Sequence, residues 1–399
     1  MVDGLIDAFA TAQLWLFETL VQPVAFAIGL GGRLETVFAG TGWLLVGLLQ
    51  MAVMLVVIGP LQRWRPVEPV TDRAAIRTDI LYTLVHRLGL FRVALFFTID
   101  PFFDLLFGLL RVAGLPTLHL EQAWPGVTDQ PLPALLIYLV VFDFINYWIH
   151  RGQHHFAAWW SLHSLHHSQR QMTMWTDNRN HLLDDLIRDT LIVIAAQLIG
   201  VAPGQFVAVV AITQLSENFQ HANLRLWFGP VFERLWISPR FHRVHHSIGI
   251  GHESPAPHSQ ARAVGAAHEA TSVGADGRRA GPPQARPAPL GGSAVREATS
   301  VGADGRRAGP PQARPAPSGG SAVREATSVG ASTRLGGHNF GVLLPWWDML
   351  FGTANFELRY AATGVRDQVE PGPDGRVREY GHGFWAQQRL GLRRLLGKG

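Results

Sequence analysis

The stretch PALLIYLVVFDFINYWIHRGQH, residues 133–154, decides the fold class of this chain. Its first part, residues 133–149, is apolar except for Asp143 and Asn146, and it approaches the roughly 20 residues that a membrane-spanning helix needs. The HRGQH that closes the stretch carries two histidines four residues apart, a spacing that places both on one face of a helix. The stretch therefore predicts a spanning helix that ends in a histidine pair.

Other apolar runs favour the same class, in a chain whose residues are 47% hydrophobic. The clearest is Trp43–Ile58, which no charge interrupts. Leu186–Ile199 and Phe206–Leu215 predict two helices separated by a turn at Gly200–Gly204, and Leu14–Leu30 is a candidate for an additional N-terminal helix. A further run, Phe91–Leu110, contains Arg92, Asp100, Pro101 and Asp104 and predicts a weaker span that is broken at the proline. We therefore predict an all-α integral membrane helical bundle.

The distribution of basic residues predicts the side of the membrane on which the histidines lie. The connection after Trp43–Ile58 carries Arg63, Arg65, Arg73 and Arg77, whereas residues 113–132 carry two acidic residues and no Lys or Arg. Connections rich in Lys and Arg stay in the cytoplasm. When the spans are counted from that cytoplasmic connection, every histidine group falls in a cap on the cytoplasmic face.

Residues 251–335 form an insert with a 28-residue repeat. Glu269–Arg296 and Glu297–Arg324 differ at one position, and a third copy begins at Glu325. The insert holds ten arginines against six acidic residues and so accounts for the whole chain's net charge of +4. Its Ala/Gly/Pro/Arg-rich composition offers no apolar face, which predicts disorder. Because the rest of the chain is neutral, the basic pI gives no support to a nucleic-acid partner.

Eighteen histidines and no cysteine restrict any metal site to His, Asp or Glu ligands. Three histidine groups stand at helical ligand spacing: HRGQH at 150–154, HSLHH at 163–167 and HRVHH at 242–246. Such groups would repel one another if protonated, and burial without partners would be costly, whereas a bound metal ion removes both problems. These imidazoles outnumber the ligands that one metal ion takes, so two ions are predicted. The spacing does not distinguish between zinc, copper, iron and nickel.

In combination, HRGQH, WSLHSLHHS (160–168), SPRFHRVHHS (238–247) and HNFGVLLPWWDMLFGT (338–353) resemble the fatty acid hydroxylase/sterol desaturase superfamily. The family order is HxxxH, HxxHH, HxxHH and a closing NYG…WDxLFGT, and the resemblance covers about residues 133–250 and 336–356. It implies a cytoplasmic non-haem di-iron centre that uses O2 and external electrons to hydroxylate, desaturate or cleave a lipid, with zinc as a substitute ion. The implied metal ligands are His150, His154, His163, His166, His167, His181, His221, His242, His245 and His246.

Asp143 lies on one helical stripe with Asn146, His150 and His154. A carboxylate inside a span is expensive and is therefore a candidate for function. We interpret Asp143 as the acceptor that fixes the tautomer of a ligand imidazole. The alternative is a structural helix–helix hydrogen bond, and Asp348 in the closing segment is open to the same two interpretations.

The sequence thus divides into residues 1–250 with the spans and histidine groups, the insert at 251–335, and residues 336–399 with the closing segment. Phe384–Gly399 combines apolar and basic residues and predicts a helix on the membrane surface in contact with anionic lipids. The predicted function is an O2-dependent lipid oxidoreductase. No HPGG-like haem-binding segment is present, so an external electron-transfer protein is expected. The rival is a histidine-rich metal transporter or zinc-dependent membrane hydrolase, although HExxH is absent.

Overall fold

The computed structural model describes residues 2–249, 253–254, 334–335, 337–357, 360–372 and 375–398. The regular secondary structure in these ranges is helical, apart from one pair of two-residue strands. This confirms the all-α prediction. Met1–Ser254 and Thr333–Gly399 form one compact unit. The second unit, Pro255–Ser332, carries the repeats, so the expectation of disorder concerns residues outside those described.

The helices follow one another with short connections. In chain order they are α1 (Val2–Leu16), α2 (Gln22–Ala27), α3 (Leu34–Val53), α4 (Gly59–Trp64), α5 (Arg73–Arg87), α6 (Leu90–Val112), α7 (Leu120–Ala123), α8 (Pro131–His155), α9 (Ala157–His167), α10 (Leu182–Ile199), α11 (Pro203–Gln220), α12 (Gly229–Phe232), α13 (Pro239–His245), α14 (Trp346–Leu350) and α15 (Phe384–Leu395). Short 3-10 turns lie at Gly31–Arg33, Thr176–Asn178 and Arg366–Gln368, and π turns at Phe17–Val21 and Met54–Ile58.

Among the described residues, three helical stretches are long and apolar enough to cross a membrane: Gly4–Ala27, Gly31–Trp64 and Pro131–His155. The third is the stretch that decided the fold class. Its 25 residues extend about 37 Å at the helical rise of about 1.5 Å per residue, longer than the roughly 30 Å hydrocarbon core. The protein is therefore a membrane protein, and its third candidate span leads directly into the histidines.

The remaining apolar runs are helical as well. Helix α6 continues through Pro101 without the predicted break. Helices α10 and α11 are joined by the predicted tight turn, which begins at Gly200 in the left-handed conformation, with φ of 71°. Glycine adopts this conformation without steric cost.

Two buried apolar clusters fix the ends of the helices around the histidines. One joins α8, α10 and α11 to Leu343 and Leu344 of the closing segment. The other joins Met54 and Ile58 to Met174 in the connection between α9 and α10. The closing segment is thereby held against the first half of α8, and the connection between α9 and α10 against the end of the second candidate span.

Strands β1 (Glu253–Ser254) and β2 (Arg334–Leu335) pair in antiparallel fashion, with Glu253 opposite Leu335. They stand at the two ends of the insert. The chain therefore leaves and re-enters the compact unit at adjacent points.

Candidate metal centre

Eight histidines form two groups of four, and all eight are buried. The first group contains His150, His154, His167 and His245. The second contains His166, His221, His242 and His246. Within each group, one ring nitrogen of every member lies within 4.8 Å of the others. Two four-nitrogen sites are thus assembled, each from residues up to 95 positions apart in sequence.

Neighbouring residues on one helix supply different groups. Helix α9 gives His167 to the first group and His166 to the second, and the end of α13 divides His245 and His246 in the same way. The groups touch, because the rings of His167 and His246 stack with 4.2 Å between their centroids. The arrangement is one centre with two neighbouring compartments.

The nitrogen spacing of the second group fits a metal ion. The Nε2 atom of His221 lies 3.1 Å from that of His166, 3.0 Å from that of His242 and 3.2 Å from that of His246. Ligands about 2.0–2.1 Å from an ion are separated by about 2.9 Å at a right angle and about 3.4 Å at the tetrahedral angle. The observed separations fall between these values.

Hydrogen bonding alone leaves the second group unsatisfied. The Nδ1 atoms of His166, His242 and His246 have no hydrogen-bond partner among the described residues. Burial and the neighbouring histidines hold the pKa of each of these three imidazoles well below its ordinary value. The rings are therefore neutral near pH 7, the protonation state in which an imidazole binds a metal.

In the first group, main-chain carbonyls orient two of the rings. The Nδ1 atom of His150 lies 2.9 Å from the carbonyl oxygen of Phe340, and that of His245 lies 2.7 Å from the carbonyl oxygen of His338. A carbonyl oxygen can only accept, so both Nδ1 atoms carry the proton and both Nε2 lone pairs face the group. The closing segment thereby sets the tautomers of ligands that lie far from it in sequence.

Two curated proteins are similar to the chain. One is the ornithine lipid hydroxylase OlsE of Rhizobium tropici, which is 26% identical over 232 residues, covering 58% of this chain and 68% of the hydroxylase. The other is methylsterol monooxygenase 1-3 of Arabidopsis thaliana, 21% identical over 189 residues, covering 45% of this chain and 61% of the monooxygenase. No solved structure matches the chain.

The family model described as fatty acid hydroxylase matches residues 135–253, which carry all eight grouped histidines. Over these residues the chain is similar to the fatty acid hydroxylase/sterol desaturase superfamily, as the four motifs predicted. The closing segment lies outside the matched range, yet its carbonyls contact two of the grouped histidines.

Asp143 acts on the closing segment rather than on a histidine. Its carboxylate accepts hydrogen bonds from the main-chain N–H groups of Leu343 and Leu344, at 2.7 and 3.2 Å, and from the indole N–H of Trp347 at 2.9 Å. It contacts no histidine among the described residues. The structure therefore corrects the interpretation of Asp143 as the direct acceptor of a ligand imidazole.

Asp348 completes the support of the closing segment. It accepts from the N–H groups of Phe340 and Gly341, at 2.8 and 2.7 Å, and from the hydroxyl of Thr353. Burial raises the pKa of Asp348 to about 6. The two aspartates thus hold the turn whose carbonyls orient His150 and His245.

His163 belongs to neither group of four but lies beside both. Its ring centroid is 5.1 Å from that of His154 and 5.3 Å from that of His166. Its Nδ1 donates to Asp184 at 2.9 Å, and its Nε2 has no hydrogen-bond partner among the described residues. Asp184 also accepts from Gln153 and Trp159. This orientation leaves Nε2 of His163 available as a ligand atom.

His181 is placed in neither histidine group. It is the N-cap of α10, where its Nδ1 accepts from the N–H of Leu183 at 3.1 Å. Its Nε2 donates to the carbonyl oxygen of Gln388 on α15 at 2.8 Å. Both ring nitrogens are thus used in packing, and on this geometry the expected ligand role of His181 is wrong. His155, which we did not include among the ligands, is exposed.

The polar face of α5 supports the centre, and sequence reasoning missed it. Arg87 donates to Asp177 at 3.0 Å and to Asn218 at 2.9 Å, and Asn218 donates to the same carboxylate. Asp177 lies 3.7 Å from Nδ1 of His221. At Gly47 of α3, a Cβ would lie only 1.7 Å from the carbonyl oxygen of Arg87, so this helix crossing requires glycine. Charged residues on an amphipathic helix ordinarily indicate a solvated face, so no sequence signal marked them.

A cavity of about 40 Å³ adjoins the second group. His166, His221 and His242 lie on one side of it, and Arg188 and Glu217 also line it. A space of this size with polar walls can hold a few water molecules or a small reacting group.

Proposed function

We propose that this protein is a membrane oxygenase that holds two iron ions in its two histidine groups and oxidises a C–H bond of a lipid. The observation that carries the proposal is the pair of touching four-histidine groups at the end of a candidate spanning helix. The two similar proteins, a lipid hydroxylase and a sterol monooxygenase by name, favour a lipid substrate. The electrons would come from a separate electron-transfer protein.

His150, His154, His167 and His245 would hold one ion, and His166, His221, His242 and His246 the other. When bound, the ions would supply oxygen activation, a chemistry that amino-acid side chains lack. His163 would add a ligand through its Nε2 atom. The closing segment orients the first group, and burial of all these rings keeps bulk water away from the reacting atoms.

We further propose that the chain crosses the membrane several times and that both groups face the cytoplasm. The support is the four arginines at positions 63, 65, 73 and 77, at the end of α4, directly after it and in the first turns of α5, together with the position of the groups at one end of α8. A lipid could then reach the centre without passing through water.

The rival functions fit the arrangement less well. A catalytic zinc site keeps one of four positions open for water, whereas four histidines around one zinc ion would close it. A transporter places its ligands near the middle of the bilayer, whereas these histidines gather at one end of α8. The second group also lies entirely on elements other than the three candidate spans.

The metal content tests the proposal. We expect two ions per chain after reconstitution with ferrous iron, and lipid-dependent consumption of O2 with a suitable reductant. His166→Ala should lose the ion of the second group and all turnover while remaining in the membrane, because it removes one of four ligands. His155→Ala is the matched control, and this exposed histidine should be dispensable. One ion or fewer in the fully reconstituted parent protein would contradict the proposal.

A further inference from the structure

An apolar surface lies on α12, the residues after it, and α14, outside the three candidate spans. Val231, Phe232 and Leu350 are 64%, 65% and 68% exposed, and Leu235 and Trp236 extend the same surface. Exposing apolar area to water costs about 25 cal/mol per Å². A contiguous surface of this kind therefore marks a contact with something apolar.

This surface continues the exposed side of α8. Trp347 of α14 packs on Phe144 with 4.8 Å between ring centroids, and Phe351 packs on Trp148 at 5.0 Å. The indole N–H of Trp346 donates to the carbonyl oxygen of Arg234, which joins α14 to the residues after α12. On α8 itself Leu136 is 56% exposed, as expected of a lipid-facing position on a spanning helix.

The contacts with α8 also fix how deep α14 lies. Phe144 precedes His150 by six residues, or about 9 Å along the helix axis. Helix α14 therefore packs against the last turns of the span rather than beyond its end. Partly exposed indoles, at Trp148, Trp236 and Trp346, are typical of the level of the lipid headgroups.

We propose that α12 and α14 lie in the plane of the bilayer surface and insert Val231, Phe232 and Leu350 into its hydrocarbon edge. This membrane face is additional to the spanning helices and does not depend on the proposed chemistry. Helix α12 precedes the histidines of α13, and α14 follows the turn that orients His150 and His245. The histidine groups consequently lie directly behind a lipid-covered surface.

The absence of cysteine allows a direct test in the full-length protein. Phe232→Cys and Leu350→Cys are each labelled with a nitroxide and reconstituted into phospholipid vesicles. Leu136→Cys is the lipid-exposed reference, and Val377→Cys, 48% exposed in the chain after the closing segment, is the matched apolar control. Collision rates with O2, which concentrates in lipid, and with a water-soluble nickel complex are then compared.

We expect oxygen collisions to exceed nickel collisions at positions 136, 232 and 350, and the ratio to be reversed at 377. Ratios of oxygen to nickel collision rates at positions 232 and 350 that match the ratio at 377 would overturn the proposal. The surface would then be a contact site for a protein partner. Retention of the metal ions in each variant shows that the label has not unfolded the protein. The comparison holds whether or not the protein proves to be an oxygenase.

Discussion

Paired histidines such as His166–His167 and His245–His246 each divide between two groups. Successive residues on a helix point about 100° apart, so two adjacent histidines do not readily bind the same metal ion. The spacing of the motifs was enough to predict metal binding and two ions as hypotheses. It could not predict which histidines would share a group, because that depends on how α8, α9, α11 and α13 meet.

His181 illustrates where sequence reasoning fails at this scale. A histidine at a helix start, followed by two acidic residues, has the same local sequence whether it binds a metal or caps the helix. The deciding contact is with Gln388, 207 residues later, and no local pattern contains it.

The cap leads to a testable difference between two variants. His181→Ala should lower the free energy of unfolding by about 1 kcal/mol, because the N–H of Leu183 loses its acceptor. His181→Asn should retain much of that stability, since asparagine is a good N-cap. Both variants should keep two metal ions, measured by elemental analysis. Loss of an ion from the asparagine variant would restore His181 as a ligand.

Asp143 should influence the metal through the closing segment. Asp143→Asn replaces an acceptor of three N–H bonds by a side chain with one acceptor oxygen, which should loosen the turn at Leu343 and Leu344. We expect metal affinity to fall about 10- to 100-fold in the first group, with the second group little changed. Competition with a chelator measures both affinities. The exposed Asp129→Asn is the control, and equal affinities in the two variants would leave Asp143 a purely structural role.

At the scale of elements, each of the apolar runs proved to be helical, and three of them overlap the candidate spans found among the described residues. The amphipathic pattern predicted α15, and its exposed Trp385, Leu392 and Leu396 agree with the hypothesis of a membrane-surface helix. Its other face, however, is buried and polar: Gln388 contacts Tyr82 and His181. Helical periodicity reveals which residues share a face but not what that face meets.

The insert is the element whose removal is easiest to predict. Strands β1 and β2 bring its ends together, with Ser254 opposite Arg334, so a short Gly/Ser turn can replace residues 255–333. Loop closure depends only logarithmically on length, and an eightfold change is worth about 2 kcal/mol. We expect the shortened protein to keep both metal ions and its activity. A protease should cut the parent chain within residues 260–330 without releasing metal.

Protease resistance across the repeats would contradict this prediction, as would loss of metal from the shortened chain. Either result would show that the insert folds and supports the centre. The composition that predicted disorder would then have been misleading, because an Ala/Gly/Pro-rich chain can still order against a partner surface.

Across the whole molecule, the buried imidazoles link stability to pH. His166, His242 and His246 have folded-state pKa values well below the ordinary value of 6.5, so below that pH the unfolded chain binds protons that the folded chain does not. These three imidazoles should therefore make the metal-free protein less stable as the pH falls below 6.5. Asp348 opposes this contribution, because its raised pKa lets the folded chain bind a proton there before the unfolded chain does. Each histidine contributes about 1.4 kcal/mol per pH unit until its folded-state pKa is reached.

Thermal unfolding of the metal-free protein at pH 7.5, 6.5 and 5.5 measures this effect. We expect the melting temperature of His166→Phe to depend less on pH between 6.5 and 5.5 than that of the parent protein, because one histidine that binds a proton only on unfolding has been removed. An unchanged dependence would mean that the His166 ring binds a proton in the folded protein as readily as in the unfolded chain.

The acceptors that orient His150 and His245 belong to the main chain, and this limits what genetics can reveal about the centre. No codon change deletes a carbonyl group. A saturation mutagenesis screen would instead report loss of function at Asp143 and Asp348. These two residues would then be mistaken for catalytic acids. Replacing the backbone amide by an ester at positions 338–339 and 340–341, which weakens the carbonyl as an acceptor, is the chemical route to the interactions that such a screen cannot see.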